Sequence, residues 1–260
     1  MFVADGCRER FRENEEEACA QVAYDRRTQM PGRKTLIVGS TGRLGVAIAK
    51  ALHARGDHVV LTARDPNKLD AMSKDLGDCA YVTADLLRDD AVETIVKGLR
   101  AKDVTIDDIV LACGPFPRTP FEALRREDLE RTLTVHAIAP LLLVAALKDD
   151  LCKAHGAVVA LGDAGMSRPY ENHVAYITAK GALATGLRAL SVELAPDVRV
   201  NVVALGIVAD PEADSDPLRT HRLASRTPLG RFGTPEEVVH VVLALLDATW
   251  ATGEIWGVGR

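Results

Sequence analysis

Residues 35–45 decide the fold, and they read Thr35-Leu36-Ile37-Val38-Gly39-Ser40-Thr41-Gly42-Arg43-Leu44-Gly45. The first four residues form a short apolar run that predicts a buried strand, and the residues after the last glycine have helical period. Glycines between a strand and a helix let the backbone approach a pyrophosphate, whose charge faces the free N–H groups of the helix. Glycine-rich turns are also common elsewhere, but this position favours a dinucleotide site.

The rest of the chain repeats this alternation of short apolar runs and longer helical segments, which predicts parallel strands joined by crossover helices. Strands are predicted at Thr35–Val38, His58–Thr62, Ala80–Thr83, Ile109–Ala112, Ala157–Leu161, Val198–Ala204 and Glu254–Trp256. The clearest helices are predicted at Leu44–Ala54, Asn67–Leu76, Asp90–Leu99, Arg126–Leu147, Val174–Leu194 and Pro235–Leu246. Residues 34–260 should therefore form a single α/β, doubly wound Rossmann-type domain, with a parallel sheet of about seven strands and helices on both faces.

Residues 1–33 differ from the rest of the chain because charged residues dominate them. They lack the apolar centre of a secretory signal, and an acidic run at Glu15–Glu17 argues against a transit peptide. A solvated helix or a disordered arm is the favoured interpretation, and a functional tail is the alternative.

Composition narrows the possible functions. The 260 residues are 47% hydrophobic and 27% charged, which excludes a disordered chain or a small stapled domain. The net charge of −5 gives no electrostatic reason to expect nucleic acid or an anionic membrane as a partner. The apolar run Ala137–Leu147 is broken by Pro140 and is shorter than the ~18 to 20 residues of a membrane span, so it predicts a buried helix. Five scattered cysteines indicate a reducing cytoplasm and no structural metal.

The end of the second predicted strand bears on which dinucleotide would bind. An NAD site is expected to place an acid near here for the ribose hydroxyls, but Ala63 occupies the position. Arg64 follows it, and Arg43 in the glycine loop supplies a second cation, so NADP(H) is favoured over NAD(H). The alternative is that Arg64 is a solvated arginine beside Asp65. Asp85, after the third strand, is either a partner for an adenine amino group or a helix cap.

Tyr176 and Lys180 lie four residues apart in a helical segment, so their side chains share one face. A phenol with a pKa near 10 is a slow acid or base at neutral pH, and a neighbouring ammonium stabilises its anion. Such a pair is often accidental. It becomes informative here because the glycine loop precedes it at the distance that one doubly wound domain requires.

With these motifs the chain resembles the classical short-chain dehydrogenase/reductase family over roughly residues 34–260. The matching elements are the loop Gly39–Gly45, Asp85, Tyr176–Leu183, Glu193–Pro196, Val198–Asn201 and Thr252–Glu254. The resemblance implies 4-pro-S hydride transfer between a nicotinamide cofactor and a carbonyl or imine, with Tyr176 as the proton donor and Lys180 on the cofactor ribose. It also implies a dimer or a homotetramer that forms through the long helices containing His136 and Tyr176.

Several positions depart from the family pattern. Leu111-Ala112-Cys113-Gly114 replaces the usual Asn-Asn-Ala-Gly, and His136 stands where a helical Asn usually supports proton relay. Because other members use the backbone carbonyl of that Asn and a water, a histidine there is compatible with the relay. These losses leave open a catalytically weak, NADP(H)-binding regulatory protein.

The most discriminating departure is Asp163, thirteen residues before Tyr176, where most relatives have Ser. Asp163, Arg43 and the loop containing Phe116 resemble the pteridine reductase and dihydromonapterin reductase branch, in which an aromatic residue stacks on the pterin. A carboxylate accepts N–H bonds from a ring, and its charge raises the pKa of Tyr176, keeping that phenol protonated. The alternatives are a turn residue for Asp163 and a packing aromatic for Phe116.

The sequence therefore predicts an NADPH-dependent reductase of a C=N or C=O bond in a small, pteridine-like molecule. A ketone or 3-oxoacyl reductase is the alternative within the family. The predicted catalytic residues are Tyr176, Lys180, Asp163 and His136. The predicted substrate contacts are Arg43, Phe116, Asp163 and Tyr176, and residues Ile207–Arg226 are the predicted lid. The predicted cofactor contacts are Gly39, Ser40, Arg43, Leu44, Gly45, Arg64, Asp85, Cys113, Gly114, Tyr176 and Lys180.

Overall fold

The computed structural model describes residues 32–210 and 216–259. Apart from its last two residues, the predicted charged extension 1–33 lies outside the described residues, and so does the 211–215 part of the predicted lid. The compact unit that carries the fold begins at Arg33.

Seven strands form one sheet, in the order β3-β2-β1-β4-β5-β6-β7. They are β1 (Lys34–Val38), β2 (His58–Ala63), β3 (Tyr81–Thr83), β4 (Asp108–Leu111), β5 (Ala157–Asp163), β6 (Arg199–Leu205) and β7 (Ile255–Val258). Every neighbouring pair is parallel, so the predicted seven-stranded Rossmann-type sheet is confirmed. β5 is longer than predicted and ends at Asp163, because it stays in register with β6 as far as Leu205.

Helices cover both faces of the sheet. They are α1 (Arg43–Arg55), α2 (Pro66–Asp75), α3 (Ala91–Ala101), α4 (Arg126–Leu133), α5 (Ala139–Ala146), α6 (Lys148–Lys153), α7 (Val174–Glu193), α8 (Pro217–Ala224) and α9 (Pro235–Asp247). Buried side chains of α3, α5 and α7 join one core cluster, and those of α1, α2 and α9 join a second. Successive strand residues alternate between the clusters: Leu36 and Val38 enter the first, whereas Ile37 enters the second.

The prediction of a single helix at Arg126–Leu147 is wrong in detail. A π-helical turn at Thr134–Ile138 separates α4 from α5, and α6 follows directly. Pro140, in the first turn of α5, has no N–H to donate to the carbonyl of His136 four residues earlier, and its ring crowds that carbonyl. The helix therefore widens around His136.

The same helical run is also the candidate for a membrane span among the described residues. Residues Arg126–Ala146 are apolar and long enough to cross a membrane by length and composition. However, Leu143 and Val144 are fully buried in the core cluster that packs on the sheet. The run therefore packs on the sheet with one face, whereas Ile138 and Leu142 remain about half exposed.

Candidate active site

A cavity of about 610 Å³ opens at the carboxyl ends of β1, β2, β3 and β4. This is where ligands bind in doubly wound sheets, because the chain crosses from one face to the other there. Gly39, Arg64, Asp85, Cys113, Gly114 and His136 line it, so the structure brings six of the predicted site residues together.

The glycine loop has the close backbone packing that its sequence predicts. Gly39 has φ +82°, and a Cβ atom there would lie 2.6 Å from the Cα of Cys113. A Cβ on Gly45 would lie 2.3 Å from the carbonyl oxygen of Gly39. The start of α1 has no side-chain cap at Gly42, so its N–H groups remain available for an anion.

Two other loop residues that were predicted to contact the cofactor have side chains that point into the protein. Ser40 is fully buried, and its hydroxyl donates to the carbonyl of Thr62 at 3.3 Å. Leu44 packs against the core cluster that holds α1. Any contact of these two residues with a cofactor would therefore be made through the backbone.

The two arginines predicted to meet a 2′-phosphate lie in different surroundings. Arg64 lines the cavity, and the carboxylate of Asp65 is engaged as the cap of α2, where it accepts from the backbone N–H of Asn67 at 3.0 Å. Arg43 instead donates to the carbonyls of Val208 and Ala209, beyond β6. Of these two arginines, Arg64 is thus the one that lines the cavity.

Asp85 lies after β3, and it caps a turn where a helix cap was the alternative prediction. It lines the cavity, and its Oδ1 accepts from the backbone N–H of Leu87 at 3.1 Å, which caps a turn. The turn fixes the carboxylate at the mouth of the cavity. Its contact with an adenine amino group stays a prediction.

Tyr176 and Lys180 project from α7 and are both buried, with 8% and 6% of their surface exposed. The Lys180 ammonium donates to the carbonyl of Leu161 at 2.7 Å and lies 5.8 Å from the centre of the Tyr176 ring. Burial lowers the pKa of Lys180. An ammonium has three N–H donors, so this one can also bind hydroxyl groups.

Asp163 lies at the end of β5 and collects donors from the residues around it. Its Oδ2 accepts from the Tyr176 hydroxyl at 3.1 Å. Its Oδ1 accepts from the Tyr170 hydroxyl at 3.0 Å and from the backbone N–H of Gly165 at 2.6 Å. Asp163 does cap a 3₁₀ turn, as its alternative interpretation predicted, and it also holds two phenols.

The acidity of Tyr176 differs from the expectation based on Lys180 alone. Burial, followed by the charge of Asp163, raises the pKa of Tyr176 well above its ordinary value. The lysine that was expected to lower this pKa is therefore outweighed by a dry environment and a carboxylate. A phenol in this state is protonated at neutral pH, and its raised pKa makes it a weaker acid than an ordinary phenol.

His136 lies directly under the loop that follows β4. A Cβ on Gly114 would lie 2.1 Å from its ring, and its ring centre is 5.2 Å from that of Tyr176. Nε2 is 2.9 Å from the carbonyl oxygen of Pro115, so it carries the hydrogen of a neutral imidazole. Burial lowers the pKa of His136 to about 3, so its imidazole is neutral near neutral pH.

Phe116 reaches the site from the same loop. Its ring stacks on His173 at 4.2 Å between centres and meets the edge of Tyr176 at 4.8 Å, while 58% of its surface is exposed. His173 is held by a hydrogen bond of 2.8 Å between Nδ1 and the carbonyl of Pro117. One face of Phe116 is thus already covered.

Sequence reasoning missed Tyr170 and His173. Both lie in the segment between β5 and α7, which has no period that would place a side chain. The only available signal was their closeness in sequence to Asp163 and Tyr176. Among the described residues, no group of three or more His, Cys, Asp or Glu side chains could hold a metal ion.

Comparison with known proteins decides the family. A protein-family model described as enoyl-(acyl carrier protein) reductase matches residues 40–259. The chain belongs to the classical short-chain dehydrogenase/reductase family. L-xylulose reductase from Bos taurus is 31% identical over 84% of this chain and 91% of its own length. A 3-oxoacyl-[acyl-carrier-protein] reductase from Rickettsia conorii is 26% identical over 86% of this chain and 94% of its own.

A solved short-chain dehydrogenase/reductase structure supports the fold. L-sorbose reductase from Gluconobacter frateurii, crystallised with NADPH and L-sorbose, superimposes with a TM-score of 0.81 at 22% identity. The match covers 88% of this chain and 95% of that one. Members of this family are oxidoreductases that use nicotinamide cofactors.

Proposed function

We propose that the protein is an NADP(H)-dependent reductase that acts on the carbonyl group of a small molecule, with Tyr176 as the proton donor. The observation that carries this proposal is the buried Tyr176, which lies beside Lys180 and the cavity-lining His136. The 31% identity with an L-xylulose reductase supports a ketone as the substrate.

The residues around the cavity fit a nicotinamide dinucleotide. The positions of Gly39 and Gly45 have no room for a side chain, and the helix start beside them offers N–H groups to a pyrophosphate. Arg64 would pair with the 2′-phosphate, Asp85 would meet the adenine, and Lys180 would hold the ribose hydroxyls while it remains bonded to Leu161. When bound, the reduced cofactor supplies the hydride.

The protein's own part in the reaction is proton transfer and positioning. Tyr176 turns its hydroxyl from Asp163 to the substrate oxygen and gives it the proton that balances the hydride. Lys180 is close enough to stabilise the resulting phenolate. In relatives a backbone carbonyl of this helix and a water return the proton from solvent, and in this chain the π-helical turn at Thr134–Ile138 lies at that position.

A pteridine-like ring is the second candidate, and Phe116 is the observation that favours it. More than half of this side chain is exposed beside Tyr176 and can cover a flat ring. The ketone is preferred because His173 already stacks on one face of Phe116.

The test is NADPH consumption with L-xylulose and with dihydrobiopterin, accompanied by NADPH binding. Turnover of the ketose is the expected result. Turnover with dihydrobiopterin alone would replace the ketone with the pteridine. NADPH binding without turnover of either compound would indicate a regulatory protein and overturn the proposal.

We also infer that the protein forms a homo-oligomer, either a dimer or a tetramer. Ile138, Leu142 and Val174 lie on or beside the helices α5 and α7, and each is at least 40% exposed. Association through these helices would cover them. Sedimentation of the full chain would test this inference, and a monomer at micromolar concentration would contradict it.

A further inference from the structure

The carboxylate of Asp163 is held from two sides. Tyr170 and the backbone of Gly165 donate to Oδ1, whereas Tyr176 alone donates to Oδ2 among the contacts that the structure describes. Two phenols therefore share one carboxylate, but only one of them belongs to the pair that carries out the proton transfer.

Catalysis changes only one side of this arrangement. When Tyr176 turns its hydroxyl to the substrate oxygen, Oδ2 loses its donor. Oδ1 keeps both of its donors, so the carboxylate cannot rotate to recover a partner. A half-buried carboxylate oxygen without a partner is costly.

A substrate can remove this cost if it brings its own donor. The Tyr176 hydroxyl oxygen and Asp163 Oδ2 are 3.1 Å apart and form a donor beside an acceptor. An α-hydroxyketone presents the matching pair, because its carbonyl oxygen accepts and the hydroxyl on the adjacent carbon donates. A plain ketone accepts the Tyr176 proton but leaves Oδ2 unpaired.

We propose that the site selects α-hydroxyketones, with Asp163 Oδ2 as the acceptor of the substrate hydroxyl and Tyr170 as the residue that positions Asp163. This inference rests on the proposed function. Hydride from NADPH and a proton from Tyr176 add to the carbonyl, so the products are a vicinal diol and NADP⁺. The hydroxyl bonded to Asp163 is unchanged in the reaction.

The experiment compares 3-hydroxybutan-2-one with butan-2-one, which differ by the hydroxyl alone, at saturating NADPH. We expect kcat/KM of the wild type to favour the hydroxyketone by about 100-fold or more, because sites built to bind a hydroxyl strongly reject analogues that lack it. Tyr170→Phe should reduce this preference about tenfold while changing kcat/KM for butan-2-one much less. A merely structural defect would lower kcat/KM for both substrates by the same factor.

Two further variants complete the test. Tyr81→Phe is the matched control, since this tyrosine begins β3 and the Lys102 ammonium lies over its ring. This variant should preserve the preference. Asp163→Ser should bring the preference close to unity. Reduction of both ketones at similar rates by the wild type, or an unchanged preference in Tyr170→Phe, would overturn the inference but leave the reductase function standing. Failure to reduce either ketone or L-xylulose would overturn both.

Discussion

The carboxyl ends of the strands form two regions of the site, and these regions are built differently. At β1, β2 and β3 the site is made mainly of backbone: Gly39 and Gly45 pack too closely for side chains, and the start of α1 presents N–H groups. At β4 and β5 it is made of side chains from separate elements, which meet around Asp163. The first region is suited to hold a cofactor common to the whole family, and the second to distinguish one substrate from another.

If the two regions have these separate roles, the largest effect of a substitution on turnover is expected at Tyr176. Tyr176→Phe should lower kcat by about 10² to 10⁴-fold, because the positioned proton donor is lost, while the Kd for NADPH stays within about threefold. Stopped-flow turnover and fluorescence titration measure the two quantities. If the variant keeps more than half of the wild-type rate, the proton comes from elsewhere.

At the cofactor end, the strongest side-chain effect is expected at Arg64. Arg64→Ala should remove about 1.5 to 3 kcal/mol of the preference for NADPH over NADH, or one to two decades, because it deletes a cation that lines the cavity after β2. Arg43→Ala should change the preference less, since its guanidinium is bonded to the backbone beyond β6. Equal losses in both variants, measured as Kd ratios, would mean that the arginines act together.

Within the glycine loop, two neighbouring positions give a graded comparison. A Cβ on Gly45 would lie 2.3 Å from a backbone oxygen, whereas one on Gly42 would lie 3.3 Å from the same atom. Gly45→Ala should therefore weaken NADPH binding by about 1 to 3 kcal/mol, the usual cost of overpacking. Gly42→Ala should cost clearly less. The reverse order of the two Kd values would contradict the proposed packing of the loop.

The last effect concerns stability at acidic pH, not binding or turnover, and it belongs to His136. Because its pKa falls from 6.5 to about 3 on folding, the unfolded chain binds a proton between these values and the folded chain does not. Unfolding free energy should thus fall as pH falls from 6.5, approaching about 1.4 kcal/mol for each pH unit. His136→Asn should remove this contribution in urea titrations at several pH values. Identical slopes for the variant and the wild type would show that His136 is not the cause.

Much of the fold could be predicted because it is local. Short apolar runs identify the strands. Helix α9 has a local start signal too, because Thr234 accepts from the N–H of Glu237 at 3.3 Å and Pro235 follows it. The π-helical turn at Thr134–Ile138 was missed because its cause, Pro140, was interpreted as a break in an apolar run and not as a change in helix type. Helix α8 was missed because charged residues and prolines around it favour a loop.

The site could be predicted in part. Gly39, Tyr176, Lys180 and Asp163 were found because motifs and spacing identify them. Tyr170 was not, because no local period indicates that an irregular segment folds back onto Asp163. The raised pKa of Tyr176 also depends on burial, which spacing does not show.

The most direct test is the transfer of deuterium from NADPH labelled at the 4-pro-S position to 3-hydroxybutan-2-one. The account predicts that the butane-2,3-diol product gains one deuterium on the carbon that carried the carbonyl, and that Tyr176→Phe abolishes most of this transfer. Mass spectrometry of the product measures both. An enzyme that binds NADPH but leaves the label on the nicotinamide, with no diol formed, would contradict the account.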